Sequence, residues 1–301
     1  MNAYEMELNI DDVLCKSSKS LASKIRYSIE LLQKAEPMAL KLDSDNGFYM
    51  AVSGGKDSQV LYHIAKLAGV RFKAHMNLTS VDPPEVIRFV KTQYPDVELI
   101  KPKMSIYEMA KKKHMIPTRC FRWCCAEYKE TSGAGKVTLI GIRKEESARR
   151  NKRQEISSTI KGKRAEETFD QWSEHEEKMV ACVGGKDKIL VSPIIYWTES
   201  DVWEFLNVND IPHCELYDQG YTRIGCICCP MSPPRQKRKE IERWPYVKRN
   251  WLKTIKWLID NGYINHNFKD AEIGFRWWIS GKSFDKFYAD EFQQQKINFN
   301  E

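Results

Sequence analysis

The segment Ser53-Gly54-Gly55-Lys56-Asp57-Ser58 constrains this chain more than any other. It follows a short apolar run of strand formers, Gly47 to Val52 (GFYMAV), and opens an amphipathic stretch, DSQVLYHIAKLAG, that Gly69 closes. Strand, glycine turn and helix in that order are the local plan of an α/β unit. Two adjacent glycines let the backbone turn tightly and approach an anion. Consecutive amides and the helix N-terminus then offer a cradle for phosphate. Lys56 adds a point charge, and Ser53 and Ser58 add hydroxyl donors. Asp57 in such a loop reads as a brace for the loop or as a holder of a magnesium ion. The spacing is not that of the GxxxxGK[ST] loop.

The same alternation continues along the chain. Ser20 to Met38 places Leu21, Ile25, Ile29, Leu31 and Leu32 near one helical face. Strands are expected at Val70–Leu78, Val97–Ile100, Lys136–Ile142 and Ile189–Ile195, and helices after Pro83-Pro84, over Met104–His114 and over Ser200–Asn207, with Thr198 as cap. This pattern predicts an α/β fold with a doubly wound, mostly parallel sheet. The charged stretch Arg143–Glu177 reads as a mobile surface loop. From Pro233 the sequence turns basic and aromatic, and is expected to form a C-terminal helical appendage. The division expected is 1–46 as a helical leader, 47–232 as the α/β domain with the cysteine cluster, and 233–301 as the helical C-terminal region.

Charge and cysteine usage narrow the class. The 301 residues carry a net charge of +7, which suits an anionic ligand without proving one. No apolar run approaches a membrane span, and MNAYEMELNIDDVL lacks the features of a secretory signal, so a cytoplasmic location with reduced thiols is expected. Among nine cysteines, Cys124-Cys125 and Cys226-x-x-Cys229 form the informative set. Four thiolates suit a [4Fe–4S] cluster or a structural zinc. An adjacent pair reaches two irons of a cubane more easily than it curls onto one ion, which favours the cluster and leaves zinc as the lesser alternative. Cys120 and Cys228 complicate the assignment, and Cys15, Cys182 and Cys214 are isolated and expected to be inert.

Taken in order, these motifs resemble the phosphoadenosine phosphosulfate (PAPS) reductase family of the PP-loop ATP pyrophosphatase superfamily. The resemblance rests on SGGKDS, Asn77-Leu78-Thr79 with Pro83-Pro84-Glu85, Cys124-Cys125 with Lys129, Gly141 to Ser147 with Arg149, Pro193 to Trp203, and Gly220-Tyr221 with Ile224-Gly225-Cys226. It implies an adenine nucleotide alpha hydrolase-like sheet with the nucleotide at the carboxyl ends of the strands. It further implies that Ser53 to Ser58 hold phosphate, that Leu78-Thr79 lie by the adenosine, and that Gly141 and Arg143 close the site. Arg143 and Arg149 would meet phosphate or a second substrate, with Lys56, Asp57 and Arg143 as the catalytic candidates. The cysteine arrangement is similar to that of the cluster-bearing adenylyl-sulfate reductases of this family.

The reductases attack sulfur with a C-terminal cysteine, and no cysteine follows Cys229 here. The expectation therefore moves to ATP chemistry with Mg2+: adenylation or thiolation of an acceptor with release of pyrophosphate. The acceptor would be nucleic acid or protein, because basic residues neutralise phosphates and aromatic rings stack on bases. Trp244, Trp251 and Trp257 recur with Leu252, Ile255, Leu258 and Ile259 at helical spacing, so packing against the core is the competing expectation for them. Two other readings stay open: a sulfonucleotide reductase, and a non-catalytic nucleotide- or nucleic-acid-binding component of a larger complex.

Overall fold

The computed structural model describes residues 2–160, 163–264, 268 and 270–290. The cysteine-free tail QQQKINFNE lies outside the described residues. The chain separates into two compact units, one of Met1–Asn77, Pro84–Ile100 and Glu130–Ile224, the other of Leu78–Pro83, Lys101–Lys129 and Gly225–Glu301.

The first unit holds a seven-stranded sheet. Its strands are β1 (Phe48–Ala51), β2 (Phe72–Asn77), β3 (Glu98–Ile100), β4 (Val137–Ile140), β5 (Ile156–Ile160), β6 (Lys163–Glu167) and β7 (Lys188–Val191), in the order β3-β2-β1-β4-β7-β5-β6. Strands β3, β2, β1, β4 and β7 run parallel, with Met50 opposite Ala74 on one side and Leu139 on the other. The order reverses between β1 and β4, and the loop after β1 emerges there. At such a switch point neighbouring connections leave to opposite faces and open a crevice. The helix Lys19–Leu42 is capped by Ser18 and buries Leu21, Ile25, Ile29, Leu31 and Leu32. Each of these aliphatic side chains contributes about 2 kcal/mol on burial. Thr198 caps the helix Glu199–Val208 through a capping box with Asp201.

The expected loop over Arg143–Glu177 is corrected by the structure. It contains β5 and β6, an antiparallel pair that extends the sheet, followed by the helix Phe169–Ser173. β5 has only Ile156 and Ile160 as apolar anchors, and its buried Ser157 and Ser158 hide it from a hydrophobicity pattern. β6 reads KRAEE, the charged composition that protects an edge strand from further pairing.

Helix Lys56–Leu67 buries His63, whose Nε2 lies 3.2 Å from the Tyr94 hydroxyl while Nδ1 has no partner among the described residues. Burial pushes the His63 imidazole down to about 3. The unfolded chain takes up this proton near the ordinary histidine value of about 6.5 and the folded chain does not, so stability falls as pH drops below that value. Between pH 7 and pH 5 this costs about 2 kcal/mol. Urea unfolding should show a shallower acid loss for His63→Gln than for the unsubstituted chain; equal losses would remove His63 from the acid limb.

The second unit carries the helices Ile106–Lys112, Trp123–Cys125, Pro234–Arg243, Pro245–Asp260 and Ala271–Ser280. Trp244, Trp251, Ile255 and Leu258 are buried, and Trp251 packs against Tyr107 and Trp278. Trp244 and Trp251 therefore belong to the core of the unit, Trp257 is half-buried, and basic side chains such as Arg235, Arg238, Arg249 and Lys253 are among those that face solvent. Among the described residues no helix is long and apolar enough to cross a membrane.

Candidate functional site

Two sites take shape, one in each unit. The first is the loop between β1 and helix Lys56–Leu67. Gly54 adopts φ +73°, and a Cβ there would stand 2.6 Å from Val86 Cγ1 and 3.0 Å from Val90 Cγ2. Gly55 is the helix N-cap with φ −84°, a conformation open to any residue. Of the two glycines, Gly54 is thus the one that conformation and space require. The serines then fasten the turn. The Ser53 amide donates to Ser58 Oγ at 3.2 Å, the Gly55 amide to Ser53 Oγ at 3.3 Å, and Ser58 Oγ to the Gly55 carbonyl at 2.8 Å. Among the described residues the amides of Gly54 and Asp57 have no acceptor, which leaves two donors at the helix N-terminus for an anion.

Charged side chains converge on this turn. Lys56 is buried, with Nζ 3.5 Å from Asp57 Oδ2 and 3.4 Å from Glu199 Oε1. Arg143, also buried, pairs through Nε with Asp57 Oδ1 and through Nη1 with Glu145 at 2.9 Å. Burial opposes its charge, but Asp57 and the two glutamates hold the Arg143 guanidinium above its ordinary range. Gly141 allows the end of β4 to approach the loop: a Cβ there would stand 2.9 Å from the Asp57 carbonyl oxygen. The structure thus brings Ser53 to Ser58, Gly141 and Arg143 together. Arg149 is exposed on the short helix Ala148–Asn151, where its neighbour Arg150 pairs with Glu146.

Sequence reasoning missed Tyr217 and Glu199 as parts of this site. The Lys56 amide donates to the Tyr217 hydroxyl at 2.9 Å, and Tyr217 and Glu199 line a cavity of about 370 Å³ with Trp203, His213 and Asp218. No spacing marks Tyr217, since 161 residues separate it from Lys56. Replacing Gly54 by alanine should destabilise the chain by about 1–3 kcal/mol, because left-handed strain and a close contact coincide. Gly55→Ala should cost clearly less, its Cβ meeting Tyr217 Oη only at 3.3 Å. Urea titration of the pair checks this, and equal losses would contradict the assignment.

The second site lies in the other unit. Cys124 and Cys125 end one short helix, and Cys226 and Cys229 flank a turn closed by the Cys229 amide on the Cys226 carbonyl at 3.1 Å. All four are half-buried. The Cys124 thiol is raised well above its ordinary range, first by its hydrogen bond with Cys125, then by burial, then by the charges of Cys125, Cys226 and Cys229. Lys129 is raised above the usual lysine range, first by its electrostatic interaction with Cys226 and further by Asp82 and a hydrogen bond to Cys226. Thr79, expected by the adenosine, is buried with its hydroxyl 3.4 Å from Cys226 Sγ and its amide on Asp82 Oδ2 at 2.5 Å. Leu78 beside it is half-buried. Among the described residues no three His, Cys, Asp or Glu side chains close around the position of a single metal ion.

Comparison with known proteins gives three relatives of note. The uncharacterized protein MJ0973 of Methanocaldococcus jannaschii is 26% identical over 249 residues, 82% of this chain and 56% of that protein. The adenosine 5'-phosphosulfate reductase of Oceanobacillus iheyensis is 26% identical over 168 residues, 53% of this chain and 60% of the enzyme. The chain thus spans under two thirds of these relatives' length. The crystal structure of FMN adenylyltransferase from Candida glabrata with FMN and an ATP analogue superposes with a TM-score of 0.44 at 16% identity, covering 72% of this chain and 68% of that one. The phosphoadenosine phosphosulfate reductase domain matches residues 47–232, the span that carries the whole sheet and all four clustered cysteines. With more than half of its length matched, the chain belongs to the phosphoadenosine phosphosulfate reductase family.

Proposed function

We propose that this chain is a PP-loop enzyme that binds MgATP at Ser53–Ser58 and adenylates an acceptor, with pyrophosphate leaving. The observation that carries the reading is the convergence of two buried cations, Lys56 and Arg143, on a turn with two unpaired amides. An acceptor oxygen attacks the α-phosphorus, the bond to the bridging oxygen breaks, and pyrophosphate takes the electron pair. The amides of Gly54 and Asp57 and the charges of Lys56 and Arg143 stabilise the growing negative charge, a preorganised arrangement that costs no reorganisation during the step. Both oxygens of Asp57 are already engaged by cations, which supports the bracing role over direct magnesium ligation.

The same reading gives Cys124, Cys125, Cys226 and Cys229 to a [4Fe–4S] cluster. Four thiols that feel one another electrostatically yet do not close on one point suit the spread corners of a cubane better than a single zinc ion. When bound, the cluster would supply electron transfer or sulfur handling. A second reading, reduction of adenylyl sulfate or PAPS to sulfite, is favoured by the names of relatives such as the Oceanobacillus enzyme.

Anaerobically purified chain supplied separately with ATP, PAPS and adenylyl sulfate distinguishes them. AMP and pyrophosphate from ATP, faster with tRNA, DNA or a protein acceptor, are expected. Sulfite release with a thiol donor would transfer the assignment to the reductase reading. ADP as product would count against adenylation, and no turnover with any acceptor would favour a nucleotide- or nucleic-acid-binding component of a larger complex.

A further inference from the structure

Cys228, inside the Cys226-x-x-Cys229 turn, differs from its neighbours. It is 1% exposed, whereas Cys226 and Cys229 are half-buried. Its backbone is left-handed, with φ +57°. A non-glycine residue is strained in that conformation and keeps it only where the surroundings enforce it. The enforcing group is Glu240 on the helix Pro234–Arg243. The Cys228 amide donates to Glu240 Oε2 at 2.6 Å, and Gln236 Nε2 donates to the other carboxylate oxygen at 2.7 Å. Glu240 is 4% exposed and Lys237, one turn earlier, is 1% exposed. Burying a carboxylate is costly, and an apolar residue of the same volume packs as well or better. Packing therefore does not account for Glu240. Its position does: the carboxylate accepts from the Cys228 amide, inside the turn that joins Cys226 to Cys229.

We propose that Cys228 is a backbone hinge and not a ligand, and that Glu240 is a positioning residue of the cluster site. Glu240 fixes the turn that sets the separation of Cys226 and Cys229. The first helix of the C-terminal region is then part of the cofactor site. This inference rests on the cluster reading above, and it gives Cys228 a role that the CxxC spacing alone does not reveal.

The test uses the full chain, reconstituted anaerobically with ferrous iron and sulfide, with ATP binding and circular dichroism as controls for folding. Cys228→Gly should keep full iron, because glycine adopts the left-handed turn without strain. Glu240→Leu should release iron to a chelator about 10- to 100-fold more readily, the usual effect of losing a group that orients a ligand. Glu240→Gln should retain most of it, since an amide oxygen still accepts from the Cys228 amide. Iron lost from Cys228→Gly would make Cys228 a ligand and overturn the inference. Equal retention in Glu240→Leu and Glu240→Gln would overturn it as well. If Glu240→Leu does not fold, the glycine and glutamine variants decide. An unsubstituted chain that takes up no iron would overturn the cluster reading and this inference together, whereas iron in that chain with indifferent variants overturns this inference alone.

Discussion

Replacing Lys56 by alanine is expected to lower ATP turnover by about 100-fold or more, the loss typical of removing a preorganised group from the charge of a transition state. Lys56 is 5% exposed, and its ammonium stands between the carboxylates of Asp57 and Glu199. Its removal does more than delete one attraction. Two carboxylates then face an incoming triphosphate, with Arg143 as the remaining cation on Asp57. Nucleotide affinity should weaken along with turnover. Lys56→Arg should recover part of the binding but little of the rate, because a planar guanidinium does not place its charge where the ammonium sits. Arg143→Ala should act in the same direction, since Asp57 loses its brace. Steady-state kinetics and direct nucleotide binding on folded variants check this. Turnover within about twofold of the unsubstituted chain would mean that the loop is a turn and nothing more.

The parts legible in the sequence are those with short-range causes. The apolar run of β1, the glycine turn, the capping box at Thr198 and the helical face of Leu21 to Leu32 each depend on neighbours in the chain, and all are found. β5 and β6 were not legible. β6 is an edge strand whose charged side chains match a solvated loop, and β5 is held by pairing with β7 and β6 rather than by its own pattern. At the site, the order of motifs pointed to Gly54, Lys56, Asp57 and Arg143, but not to which glycine is forced or to what Arg143 braces. Tyr217, Glu199 and Glu240 act through contacts that span 161, 143 and 12 residues of chain, read as the differences between their numbers and those of Lys56 and Cys228. Such contacts leave no periodic trace.

Changing Cys125 to serine should remove essentially all iron from anaerobically prepared protein, where the unsubstituted chain should be brown and carry about four irons and four sulfides, the stoichiometry of a [4Fe–4S] cluster. The loss should be large because a cubane with three thiolates leaves one iron open to exchange, and the neighbouring Cys124 would already hold an iron of its own. Cys15 and Cys182 are exposed and Cys214 is buried in the other unit, so Cys15→Ser should leave iron and absorbance unchanged. ATP binding should persist in Cys125→Ser, because the phosphate loop and Arg143 belong to the sheet-bearing unit and the four clustered cysteines do not. Stoichiometric zinc without visible absorbance in the unsubstituted chain would replace the cluster by a structural ion. Full iron in Cys125→Ser would instead move the fourth ligand elsewhere, and Cys120, exposed four residues before Cys124, would be the first thiol to substitute.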